Sequence, residues 1–385
     1  MSRRSRNLIL VQQRRQELEK RVTDLRHALQ VDEASRAVEY STDRKATVIS
    51  TPSPALHTTE KLEQYLKSLY ADLIAPVADA LPPVSSPCAS QASAHQAPAH
   101  QASAPQASVS PSLEIDPSVS PLLVIEPHSA LWLLPFATLK TSDGTWMGDQ
   151  WPLLYAPSLK TLEEIRQEPP YAPLADSKAV VVGNPVMPTV PTKNGFQLTL
   201  NNLPGAEKEA KAIGNVLTNE KTQILIGAEA TEARVKELSQ TYNIMHLATH
   251  GIAYASDPLA SFVAFTPTDT ENGLLTAREV AINRSLPLDL VVLSACQTGL
   301  GKVSGDGMVG LSRAFLIAGA RTVVVSQWSV DDAATAALMV EFYRAYCQHG
   351  QKAIALQSAM QSIRAHPNYA HPRYWSAFLA VGAES

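Results

Sequence analysis

From residue 122 onward the chain repeats one pattern: a short apolar run, a turn, then a helix-forming stretch. "LLVIEP" (122–127), "AVVVGNP" (179–185), "TQILIG" (222–227), "NIMHLAT" (243–249), "LDLVVLSA" (288–295) and "TVVVSQW" (322–328) read as strands. "SLKTLEEIRQ" (158–167), residues 204–217 opened by a proline, "TEARVKELSQ" (231–240) and residues 307–318 read as helices between them. A strand that is apolar at successive positions is buried on both faces. Such strands belong to a mostly parallel sheet with helices on both faces, an α/β fold. Ligands in such folds bind outside the carboxyl ends of the strands.

The remaining stretches fit around that sheet. Residues 131–156 are expected to form a hairpin around Asp143-Gly144, and "SFVAFT" (261–266) a small strand on an excursion. Residues 276–282 read as a helical turn, residues 331–347 and 351–365 as two long helices, and "YWSAFLAVG" closes the chain.

Upstream, residues 1–40 form an N-terminal helical segment. Leu18, Val22, Leu25 and Leu29 line one helical face, and Arg15 interrupts the stripe. The stripe is too short for a coiled coil, so it docks on a partner or on the main domain. Eight Lys or Arg stand against three Asp or Glu in residues 1–30, with no aromatic residue between them, so this is a solvated face rather than a nucleic-acid surface. Residues 59–81 form a second helical unit, capped by Thr59, with Leu62, Leu66, Leu69, Leu73 and Val77 on its buried side. The main domain is expected over 59–385. Residues 84–120 interrupt it with a tandem Ala/Ser/Gln/Pro pentapeptide that has no large apolar anchor, and this insertion is expected to be disordered. His95 and His100 lie in it without carboxylates or thiols that would complete a metal site.

With 385 residues the chain can bury a sizeable core, and its formal net charge of −4 gives no argument for nucleic acid or membrane. No segment approaches the roughly 20 apolar residues of a membrane span. The basic start is followed by an apolar run only from Leu8 to Val11, too short for a secretory signal. Three cysteines, Cys88, Cys296 and Cys347, cannot build a disulfide framework and fit a reducing compartment, so a cytoplasmic protein is expected.

Two strands end in reactive groups beside glycines. "HLATHG" (246–251) ends in His250-Gly251, and "LVVLSACQTGLG" (290–301) carries Cys296. If these strands are neighbours, an imidazole and a thiol share one crevice. An imidazole within hydrogen-bond reach activates a thiol and protonates a leaving amine. The N–H groups of Gly251 and Cys296 are candidate donors to an oxyanion. A cysteine after an apolar strand is otherwise a packing residue. His246 and His250 are four apart, about 13 Å along a strand at roughly 3.3 Å per residue, too far to share a metal ion. His246 reads as a core histidine, and Cys88 and Cys347 as bystanders. No serine-hydrolase elbow, phosphate-binding loop or dinucleotide fingerprint is present.

"HLATHG", "VVLSACQTGLG", "GDGMVGLSRAFLIAGARTVVVSQWSVDDAATAALM" and "HPRYWSAFLAVG" strongly resemble the CHAT domain, a caspase-like module of the clan that includes caspases and separase. "LPGAEKEAKAI", "EATEARVKEL", "LVIEPHSALWLLPFATL" and "YLKSLYADLIAPV" match it too, so the resemblance covers about 59–385. It implies a caspase-like fold and a His-Cys dyad carried by His250 and Cys296. Their separation, 46 residues, fits the roughly 50 of caspases. The local sequence Ser-Ala-Cys-Gln-Thr-Gly departs from the caspase signature, so a preference for cutting after Asp is not carried over. CHAT domains often follow tetratricopeptide repeats, and residues 1–58 contain none. Any regulator is then a separate protein or the N-terminal helix.

Substrate contacts are expected from "SQWSVDD" (326–332). Trp328 is a candidate pocket wall. Asp331, Asp332 or Asp306 would attract a basic residue, although Asp331 also suits a helix cap and Asp306 a turn. The expected function is a cysteine endopeptidase acting on protein or peptide substrates without cofactor or metal. A non-catalytic CHAT-type signalling scaffold is the alternative, and an adaptor held by the N-terminal helix a third.

Overall fold

The computed structural model describes residues 3–29, 59–81, 121–168, 171, 176–191, 197–217, 221–254, 257–283, 285–294, 305–328 and 331–384, with main chain only for 3–14, 59 and 305–309. Its strands are β1 (Leu123–Ile125), β2 (Leu153–Tyr155), β3 (Ala179–Pro185), β4 (Thr189–Pro191), β5 (Gln197–Thr199), β6 (Thr222–Gly227) and β7 (Ile244–Ala248). They continue with β8 (Gly251–Ile252), β9 (Phe262–Ala264), β10 (Leu274–Thr276), β11 (Leu290–Leu293), β12 (Thr322–Ser326) and β13 (Phe378–Gly382). Eight of them form one sheet in the order β1-β2-β13-β12-β11-β7-β3-β6. Six of its seven neighbouring pairs are parallel, and β12 against β13 is antiparallel.

Every residue of β7, β11 and β12 is buried. Side chains alternate between faces along a strand, so both faces of the sheet centre are covered. The helices Pro204–Val216, Asp332–His349 and Lys352–Ala365 pack together as one layer. His246 of β7 points into it, with Nε2 2.9 Å from Glu209 and Nδ1 3.3 Å from the Tyr343 hydroxyl. The helix Gly305–Ala318 packs against β12 and the short helix Ala277–Ile282. Helix starts carry the side chains that satisfy orphan N–H groups. Ser158 and Thr231 cap theirs, and Thr276 with Glu279 forms a capping box before Ala277–Ile282. Gly350, with φ +67°, ends Asp332–His349 in the left-handed conformation.

The helix Arg3–Ala28 is built into the same core. Val22, Leu25 and Leu29 are buried with the sheet residues, while Arg15 stays exposed in an ion pair with Glu19. Arg26 is buried, its guanidinium 5.6 Å over the Trp328 ring and its Nη1 donating to the Leu133 carbonyl at 3.3 Å. At the opposite sheet end, Lys352 is fully buried against Asp289 (2.8 Å), which also accepts from the Tyr346 hydroxyl (2.9 Å).

Two expectations are corrected. Residues 131–156 are not a hairpin. The turn at Asp143-Gly144 exists, but its arms meet only at a Lys140–Trp146 bridge. The apolar run before it coils into 3₁₀ turns, Ser129–Leu133 and Phe136–Thr138, separated by Pro135, which supplies no N–H to a ladder. Residues 153–155 do form a strand, but it pairs parallel to β1. Val77 is exposed, because Pro76 ends the helix Thr59–Leu73 and turns the chain into the 3₁₀ segment Ala75–Ala80. Residues 84–120 and Cys88 lie outside the described residues.

The connections place a switch point between β3 and β7, two strands in from the β6 edge. The chain leaves β3 for the edge strand β6, returns to β7, and continues to β11 on the other side. The diverging connections open a crevice between the carboxyl ends of β3 and β7.

Candidate active site at the carboxyl edge of the sheet

His250 stands at that crevice. β7 ends at Ala248, and the next residues are pinned to β9: Thr249 Oγ1 donates to the Ala264 carbonyl, and Ala264 N–H donates to the His250 carbonyl, both at 2.8 Å. Gly251 then faces Val263 across the β8–β9 pair. With the bond on the preceding residue, this is a non-hydrogen-bonded pair, and the Gly251 N–H points away from β9.

The imidazole is 1% exposed, and its Nε2 lies 2.7 Å from the carbonyl oxygen of Asn201. A carbonyl only accepts, so Nε2 carries the proton and Nδ1 the lone pair. Nδ1 is buried and has no hydrogen-bond partner among the described residues. Burial pushes the His250 pKa down, opposed by the Asn201 bond and the Asp332 charge, so the ring is neutral at pH 7. Asn201 was not legible as a site residue, because it contributes its main chain and no side-chain type marks that role.

β11 lies beside β7 with Leu293 opposite Leu247. His250 stands three positions after Leu247, and Cys296 three positions after Leu293. Cys296 lies outside the described residues. Ser294, the first residue after β11, has a buried Oγ without a partner among them.

The acidic candidates separate. Asp331 Oδ1 accepts from the N–H groups of Ala333 and Ala334 at 3.0 and 3.1 Å and caps the helix Asp332–His349. Asp332 is exposed in the first turn of that helix, close enough to His250 for the two to interact electrostatically. Local desolvation raises its pKa, Asp331 and Glu209 add to the rise, and His250 opposes it. Asp306 lies in the first turn of Gly305–Ala318. Trp328 does not line an open groove. It is 1% exposed, lies under Arg26, and donates its Nε1–H to the Arg373 carbonyl at 2.9 Å. A buried indole needs such a partner, and here the core supplies it.

His246 is a buried core histidine held by Glu209 and Tyr343. Cys347 sits exposed on the helix Asp332–His349. Among the described residues, Glu232, Glu271 and Glu279 bring carboxylate oxygens within 4.8 Å of one another. The Lys236 ammonium reaches all three, at 2.6, 3.2 and 3.1 Å, so the protein already supplies the compensating charge. No described helix is long and apolar enough to cross a membrane.

Tetratricopeptide repeat protein 28 of Homo sapiens is 30% identical over 303 residues, 68% of this chain but 12% of that protein, so the chain spans a small part of this relative. Among solved structures, the Saccharomyces cerevisiae separase–securin complex matches with a TM-score of 0.43 and 13% identity, over 66% of this chain and 15% of that one. The Arg-specific cysteine proteinase gingipain R (RGPB) of Porphyromonas gingivalis matches with a TM-score of 0.39 and 13% identity, over 60% of this chain and 54% of that one. The family model of the CHAT domain matches residues 63–383, nearly the whole of the sheet and its helices, and the chain belongs to the CHAT-domain family.

Proposed function

We propose that this chain is a cysteine endopeptidase in which Cys296 is the nucleophile and His250 its general acid and base. One observation carries the reading: a buried imidazole whose Nε2–H is tied to a carbonyl while its Nδ1 lone pair has no described partner. An unsatisfied buried acceptor costs about 1–3 kcal/mol. A thiol proton is the donor such a nitrogen lacks, and equal residue counts from one strand register lead to His250 and Cys296.

In this reading Nδ1 takes the thiol proton, and the thiolate sulfur bonds to the carbonyl carbon of the scissile peptide. The oxyanion is held by the N–H groups of Gly251 and Cys296. As the carbon–nitrogen bond breaks, His250 passes its proton to the leaving amine. Water, deprotonated by the same nitrogen, then releases the acyl group and restores the thiol. Of the acidic candidates, Asp332 suits a basic side chain before the cut, since it is exposed and interacts with His250, whereas Asp331 is committed to its cap; Asp306 stays a candidate from the sequence. The burial of the ring means substrate entry requires displacement of what covers it. A regulatory protein that triggers this belongs to the proposal.

The same burial is what a non-catalytic scaffold would have, and one experiment separates the two. A peptide library is incubated with wild type, Cys296→Ala and His250→Gln, with fold checked by circular dichroism. Cleavage by wild type that both variants lose supports the peptidase. Cleavage that survives Cys296→Ala removes Cys296 as the nucleophile, and no cleavage by any form, even with co-purified partners, favours the scaffold.

A further inference from the structure

The His250 ring is oriented by a main-chain carbonyl, and something must hold that carbonyl in place. Asn201 lies just before the helix Pro204–Val216, whose N-cap residue, Leu203, offers no side-chain cap. The cap comes from another element. Asn184, the next-to-last residue of β3, accepts the Leu203 N–H on its Oδ1 at 2.7 Å, and its Nδ2 points at Glu207 in the first helical turn at 3.5 Å. Asn184 has φ +48°, in the left-handed region that asparagine tolerates better than other side chains. Gly183 beside it allows the approach: a Cβ there would stand 2.6 Å from the Ala206 oxygen and 2.6 Å from the Ala210 Cβ. Gly183-Asn184 thus seats the helix start and the residues leading into it against the end of β3, across the crevice from His250.

We propose that Asn184 is a positioning residue for His250: by clamping the main chain at Leu203 it holds the Asn201 carbonyl against Nε2 and keeps the lone pair on Nδ1. The catalytic consequence rests on the endopeptidase reading, but the effect on the ring does not.

The experiment uses the full chain with ¹⁵N-labelled histidine, and long-range proton–nitrogen spectra report which ring nitrogen of His250 is protonated. Asn184→Gly keeps the positive φ without strain and deletes the acceptor. Asn184→Asp together with Glu207→Gln restores an acceptor oxygen without setting two carboxylates against each other. Wild type and the double variant should hold the proton on Nε2, and Asn184→Gly should give a mixture of tautomers. In parallel, iodoacetamide alkylation of Cys296, read by peptide mass spectrometry, should slow about tenfold in Asn184→Gly and recover in the double variant. A wild-type tautomer in Asn184→Gly overturns the proposal. Should that variant fail to fold, Asn184→Ser, too short to reach Leu203 in the same way, is read by the same spectra and same criterion. A shifted tautomer with wild-type Cys296 no more reactive than Cys347 would sustain the clamp and remove the endopeptidase reading instead.

Discussion

His250 Nε2 is 2.7 Å from the carbonyl oxygen of Asn201, 49 residues earlier in the chain. That one bond joins the two sides of the switch-point crevice. It also fixes the chemistry of the ring, because the protonated nitrogen faces the main chain and the basic nitrogen faces away from it.

Burial of that ring has a consequence for stability. The His250 pKa is depressed from 6.5, foremost by desolvation, and His371 is depressed for the same reason with Arg373 adding to it. Well above pH 6.5 both the folded and the unfolded chain leave these rings neutral, and they contribute nothing to the pH dependence. As pH falls below that value the unfolded chain takes up protons that the folded one refuses, so stability declines. Urea denaturation at falling pH should show this decline, and His250→Gln and His371→Gln should each flatten it. An unchanged slope in both variants would contradict the depression.

The buried pair Asp289–Lys352 sets a second expectation. Lys352 has no exposed surface, and burial pushes its pKa down against the pull of Asp289. Asp289→Ala takes away the carboxylate that Lys352 shares with the buried Arg321, 3.8 Å from it, and should cost about 3–5 kcal/mol. Adding Lys352→Met removes one of those two buried cations and should recover part of that loss. Urea midpoints of the two singles and the double give the coupling, and purely additive losses would mean the pair does not act as one.

Much of this architecture is legible in the residues because local and global demands agree. β7, β11 and β12 are apolar at nearly every position, and a parallel sheet buried on both faces is where such strands fit. His250 is legible because a strand that ends in His-Gly delivers a side chain to the ligand edge. Three things were not legible. Asn201 acts through a carbonyl that every residue type possesses. Trp328 is the residue type of a pocket wall, yet it packs in the core under Arg26, 302 positions earlier in the chain. The run Leu131–Leu139 has strand-like residues, but Pro135 and its depth in the core favour 3₁₀ turns.

The helix Arg3–Ala28 lies outside the family match yet shares the domain core. Leu25 is fully buried there, so Leu25→Ala should cost about 2–5 kcal/mol in chemical denaturation. Arg15→Ala, at an exposed pair with Glu19, should change stability by less than about 1 kcal/mol. Equal and small effects at both positions would mean the helix is a loosely held appendage.

Asp331 and Asp332 are adjacent in sequence and do different work, which substitutions can separate. Asp331 satisfies two N–H groups of the following helix. Asp331→Ala should therefore cost about 1 kcal/mol, while Asp331→Asn, an equally good cap, should cost almost nothing. Asp332 gains nothing of that kind: desolvation and the charges of Asp331 and Glu209 all disfavour its ionised form. Asp332→Asn should leave stability unchanged or slightly higher, and it removes a negative charge that supports protonation of His250. If Asp332 meets a basic substrate residue, the same variant should lower kcat/KM about tenfold for peptides with Arg or Lys before the cut and leave neutral peptides nearly unaffected, since one charge-assisted contact is worth about 1.5–3 kcal/mol. The comparison of Asp331→Asn with Asp332→Asn on paired peptides decides it, because an equal loss of basic preference in both would place the recognising charge elsewhere.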